Sequence, residues 1–163
     1  MNHQLKLAAV LIFLGDFKHA RRFASRILRA QLHTKNRTHL RELTHLAFNT
    51  ALIVSYGRPF FKNQGFGSGA SSLQTYVETV LTNPEDLALH NRVLLLRSKA
   101  YAHSDASSHL FHGIDYYDGT GVKFMKNAFV LLDKPETRRL RVMTERWIAF
   151  LEVQRLELKA AAR

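Results

Sequence analysis

Apolar residues recur along this chain at three- and four-residue steps, a period that marks most of its length as helix. Between Leu5 and Leu32, Phe13, Phe17, Ala20, Phe23, Ala24, Ile27 and Leu28 fall to one side, while Lys18, Arg21, Arg22, Arg26 and Arg29 fall elsewhere. That pattern predicts an amphipathic helix with a basic outer face, and Gly15 is where it can bend or divide. After the polar link HTKNR, a second helix is expected from Thr38 to Tyr56. Its stripe is read as Leu40, Leu43, Leu46, Ala47, Thr50, Ile53 and Val54. From Gly57 to Asn83 the period breaks. RPFFKNQGFGSGASS mixes aromatics with Gly and Ser, as expected of a long surface loop pinned by its Phe residues, and SSLQTYVETVL adds a weak helical pattern.

The next start signal is strong. Asn83 suits an N-cap, Pro84 the first helical position, and Glu85 and Asp86 complement the positive end of a helix. Leu87, Val93, Leu94, Leu96, Ala100 and Tyr101 supply the apolar content of a third long helix. Its end is expected near Ala102 or His103, before the turn formers Ser104, Asp105, Ser107 and Ser108. From Gly113 to Leu132, aromatic and β-branched residues flank a DGTG turn, the pattern of a small hairpin. Asp133 and Glu136 then form a capping-box pair, and Leu140, Met143, Trp147, Phe150, Leu151 and Leu158 continue the core stripe. The expected fold class is all-α: a bundle of four to five helices in one domain over 1–163, with a long loop and a small β-hairpin insertion.

Composition adds a charge argument. The 163 residues are 46% apolar and 23% charged, enough to build a packed core. Twenty-four Lys and Arg against thirteen Asp and Glu leave +11, a field that attracts polyanions and nucleic acid in particular. The plainer alternative is that the arginines only solvate helix faces. The absence of cysteine excludes disulfides and thiolate metal sites and makes a cytoplasmic setting the expectation. The longest apolar run, Leu7 to Leu14, falls short of the roughly 20 residues that span a bilayer, so it is read as core and no membrane is expected.

Candidate chemistry concentrates in LALHNRVLLLRSKAYAHSD, Leu87 to Asp105. Imidazole titrates near neutrality, so His103 can exchange a proton as general base or acid. The guanidinium fork of Arg97 matches phosphate oxygens and can stabilise charge developing on them. Beside this pair, Ser98 and Asp105 are read as supporting residues, and Arg92, Lys99 and Tyr101 as RNA contacts, Tyr101 by stacking on a base. Each has a plainer role: Arg97 and His103 as cations at a helix C-terminus, Arg92 and Lys99 solvated, Tyr101 in the core, Asp105 starting a turn. The spacing alone is loose, since Arg26 and His33 offer a similar pair.

The string R-S-K-A-Y-A-H-S-D at a helix end resembles the HEPN superfamily of helical proteins, whose signature is Arg, four to six residues, then His. It is most similar to the abortive-infection branch, where a polar residue follows the Arg and Ser-Asp follows the His. Ser98 is a mild departure from the Asn often found there. The resemblance implies an endoribonuclease of toxin–antitoxin or phage-defence systems, with RNA as substrate, no cofactor and no resident metal. It also implies an antitoxin partner and a homodimer whose composite site pairs Arg97 and His103 across the two-fold axis. Members that bind RNA or nucleotides without cutting leave a non-catalytic module as the alternative.

Geometry bears on the dimer. Six positions along one helix advance about 9 Å and rotate about 240°. Arg97 and His103 of a straight helix therefore point to different sides, so either the helix loosens between them or two protomers share the site. A third reading assembles His103, Asp105, His109, His112 and Asp115 as metal ligands of a hydrolase, though their spacing fits no closed motif. The glycines of GFGSGASS lack the Lys and strand context of a phosphate-binding loop.

Overall fold

In a computed structural model of the chain, the described residues are 3–34, 38–61, 73–98 and 131–162, together with the backbone of two short strands. Helix α1 (His3–Arg29) runs unbroken through Gly15, with Arg26 and Arg29 in its last turn facing the negative end of the helix dipole. It closes in a Schellman arrangement. The Leu32 N–H bonds the Ile27 carbonyl at 3.1 Å and the Gln31 N–H bonds the Leu28 carbonyl at 3.2 Å, with Gln31 at φ 49°. Helix α2 (His39–Gly57) starts at Thr38, whose side chain accepts from the Arg41 N–H. A 3₁₀ turn, Arg58–Phe60, follows directly; a second, Leu73–Tyr76, leads into the single turn α3 (Val77–Val80).

The predicted starts of the next two helices hold in detail. Asn83 accepts from the Glu85 N–H at 2.8 Å to open α4 (Pro84–Leu96), and Asp133 and Glu136 form a reciprocal capping box at the head of α5 (Lys134–Ala160). Strands β1 (Leu110–Phe111) and β2 (Met125–Lys126) pair antiparallel. The DGTG turn, residues 62–72 of the expected loop and the expected end of the third long helix lie outside the described residues; the described parts of that loop are mostly short helical turns.

An antiparallel pair, α1 and α5, forms the centre, tied by Lys18 to Glu152 at 3.0 Å and by His3 to the Leu158 carbonyl. Helix α2 packs on α1, and α4 bridges α5 and α2. The core nucleus is aromatic. Phe17 stacks on Trp147 with ring centroids 5.6 Å apart, and Phe60 meets Trp147 and His90 edge-on at 5.2 and 4.6 Å. Among the described residues no helix is long and apolar enough to cross a membrane.

Helix α2 sits in a different rotation from the one its leucines predict. Leu40 is 74% exposed and Leu43 48%, while His45, Asn49, Leu52, Ile53 and Tyr56 face inward. The polar members have tertiary partners that offset their desolvation. The Asn49 Oδ1 accepts the Leu132 N–H at 3.0 Å, and the His45 ring lies edge-on to His33 at 4.8 Å.

Candidate functional site

Arg97 continues the inward line of α4. Asp86, Leu89, His90 and Val93 are buried on that line, and seven residues bring the helix almost back to the same angle, so Arg97 lies two turns beyond His90. The α-helix gives way here. Residues 97 and 98 take a wider π turn, and the Arg97 N–H is shared between the Val93 and Leu94 carbonyls. The Arg97 stem crosses the end of α2 so closely that a Cβ on Gly57 would overlap its Cδ, with Cγ and Nε at 3.3 Å. The guanidinium lies over the Phe61 ring, 4.0 Å from the centroid, and its Nε has no hydrogen-bond partner among the described residues.

Two further charges converge on this point. Asp16, on α1 and only 5% exposed, accepts from the Arg58 Nη1 at 3.0 Å, whereas its Oδ2 has no partner among the described residues. Burial raises the Asp16 carboxyl above the ordinary carboxylate range; the Arg58 hydrogen bond and charge oppose this, followed by the charges of His19 and Arg97. Burial, then the charge of Arg58, act against the protonated form of Arg97, while Asp16 favours it. The site thus sets the Arg58–Asp16 ion pair beside the end of α2 that the Arg97 stem crosses. Arg58 keeps 56% of its side chain open to solvent.

Beneath the cluster the polar groups are structural. His90 is fully buried, and its Nδ1 lies 3.0 Å from the Tyr56 hydroxyl. Burial lowers its pKa from 6.5 to about 4, so near neutrality the ring is uncharged and accepts the Tyr56 proton. Burial pushes the Tyr56 hydroxyl up, which keeps it a donor. His90 is therefore part of the floor under Arg97.

The structure separates the residues nominated from sequence. Arg92 pairs with Glu136 of α5, and its five-residue offset from Arg97 turns it about 140° away around the helix. The Ser98 hydroxyl donates to the Leu95 carbonyl at 3.1 Å. Lys99, Tyr101, His103 and Asp105 lie outside the described residues, as do His109, His112 and Asp115 of the metal reading. Among the described residues no group of three His, Cys, Asp or Glu could hold a metal ion. The Arg26–His33 pair does not form a site: Arg26 is exposed, whereas the His33 Nε2 bonds the Thr137 Oγ1 at 3.1 Å and its ring packs on His45.

Asp16, Gly57, Arg58 and Phe61 carry no motif, and sequence reasoning missed them. A weak signal exists for Asp16, an acid at a core-phase position between Phe13 and Phe17. Comparison with protein-family models, with curated proteins and with solved structures finds no match.

Proposed function

We propose that the chain is a metal-independent endoribonuclease of HEPN type, acting through Arg97 and His103. The observation that carries this reading is the placement of Arg97. Its guanidinium is held over Phe61 and its stem across Gly57, with a buried Nε that has no partner among the described residues, at a π turn leading into the segment that carries His103. A solvated arginine at a helix end has no need of such packing. The π turn at residues 97 and 98 is in keeping with the looser helix end that a site shared by Arg97 and His103 calls for.

In this mechanism His103 removes the proton of a ribose 2′-hydroxyl, whose oxygen attacks the adjacent phosphorus. Arg97 stabilises the extra negative charge of the pentacoordinate transition state. The P–O5′ bond breaks, the leaving oxygen takes up a proton, and a 2′,3′-cyclic phosphate and a 5′-hydroxyl remain. The reading includes a homodimer with a composite site, the long loop and hairpin around it, a cytoplasmic toxin or defence role, and an antitoxin partner.

A second reading, RNA binding without cleavage, is favoured by the basic ridge on α1. Arg22, Arg26 and Arg29 recur at helical spacing, are exposed, and have no acidic partner among the described residues. Incubation with mixed RNA in EDTA separates the readings. Cleavage that survives chelation and disappears in Arg97→Ala and His103→Ala supports the nuclease. Salt-sensitive binding without cleavage supports the binding module, and cleavage abolished by EDTA points to the His/Asp metal site instead.

A further inference from the structure

We infer that Arg58 and Arg97 form a two-arginine clamp for a single phosphate group of an RNA strand, built within one protomer and set in place by Asp16. The inference deepens the nuclease reading and rests on it for the identity of the strand.

The Arg97 stem packs on Gly57, the residue before Arg58, so the two arginines leave the same end of α2, and the Arg58 charge acts against protonated Arg97. Asp16, the buried carboxylate that holds Arg58 at 3.0 Å through one oxygen, sets one negative charge against two guanidinium groups among the described residues. Packing supports the arrangement. Phe61 supports the Arg97 plane, Gly57 gives its stem room, and the Arg58 backbone belongs to a 3₁₀ turn continuous with α2. The Arg97 Nε is buried with no hydrogen-bond partner among the described residues, Arg97 as a whole is only partly buried, and Arg58 keeps more than half of its side chain open to solvent. Guanidinium forks that are preset and desolvated on one side match the several oxygens of a phosphate. His19, one turn along α1 from Asp16 and exposed, places further donor capacity at the rim.

The clamp bears on how the site is assembled. One protomer supplies both cations, so a second copy is not needed to grip the phosphate. Arg58 becomes a phosphate-contacting residue, and Asp16 a positioning residue that acts through it.

Binding of a 2′-O-methyl RNA oligonucleotide tests this apart from cleavage, because that strand has no nucleophilic 2′-hydroxyl. Arg58→Gln, which can still donate to Asp16, is expected to weaken binding about tenfold, and Arg58→Lys to recover only part of the loss. Arg58→Gln combined with Arg97→Ala should lose less than the two separate losses together, and Arg138→Gln on the exposed start of α5 should change binding by less than about twofold. Asp16→Asn should weaken binding in the wild type and cause no further loss in Arg58→Gln, with thermal melting confirming that each variant is folded. Wild-type affinity in folded Arg58→Gln overturns the clamp, and an equal Asp16→Asn loss in both backgrounds overturns the positioning role. A protein that cuts ordinary RNA but binds equally well as Arg58→Gln would sink the clamp and leave the nuclease; one that binds through Arg58 but never cuts would do the reverse.

Discussion

Gly57 is the residue on which the site's geometry can be tested most cleanly. Its backbone, φ −76° and ψ −24°, is one that alanine adopts without strain, and alanine is the better helix former by up to about 1 kcal/mol. A methyl group there meets the Arg97 stem. Gly57→Ala should therefore leave stability within about 1 kcal/mol of wild type while reducing RNA cleavage at least tenfold. Thermal melting beside a cleavage assay checks this, and a parallel fall in both would mean the glycine serves packing alone. His90 makes a separate prediction. Its pKa falls from 6.5 in the unfolded chain to about 4 in the fold, so the unfolded state binds more protons between those values. The stability due to its neutral form is present above pH 6.5 and is lost, by about 3 kcal/mol, as pH falls towards 4. Asp16 works oppositely, since its raised pKa contributes stability at low pH that is lost as pH rises. Denaturant unfolding of wild type and His90→Asn across this range isolates the histidine, and identical slopes would rule it out. Arg97 was legible in sequence because a motif surrounds it, whereas Asp16 and Arg58 are 42 positions apart and meet only through tertiary packing.

Helix ends were the most readable feature of the chain, because capping chemistry is local. Asn83 and the Asp133–Glu136 pair act as their side chains predict. Helix rotation was less legible. The rotation of α2 turns on hydrogen-bond partners far away in sequence, as Asn49 bonding Leu132 illustrates, and a count of leucines cannot see them. The end of α1 offers a test of the same local logic. Gln31 occupies the left-handed position of the Schellman arrangement, where a side chain is penalised and glycine is not. Gln31→Gly should stabilise the protein by about 1 kcal/mol, raising the melting temperature by roughly 2–4 °C. A lower melting temperature would show that the Gln31 side chain has a compensating role.

For the whole molecule, the charge of +11 has both a diffuse and a local expression. The Arg22, Arg26 and Arg29 ridge runs along the outside of α1, and the Arg58–Arg97 pair lies where α1, α2 and α4 meet. Composition made the first legible as a basic helix face; the second depends on a fold that brings residues 16, 58 and 97 together. Replacing the three ridge arginines with Gln should reduce the slope of log affinity against log salt by about 2, since each single-strand phosphate contact contributes about 0.7. An unchanged slope in equilibrium binding would place the RNA elsewhere. The central claim is that the end of α4 cuts RNA through Arg97. Its most direct test is the rate and end chemistry of RNA cleavage in EDTA by wild type and by Arg97→Ala. The account predicts 2′,3′-cyclic phosphate and 5′-hydroxyl ends from the wild type and at least a hundredfold slower cleavage by the variant. Equal rates in the two proteins, or products ending in a 5′-phosphate, would contradict it.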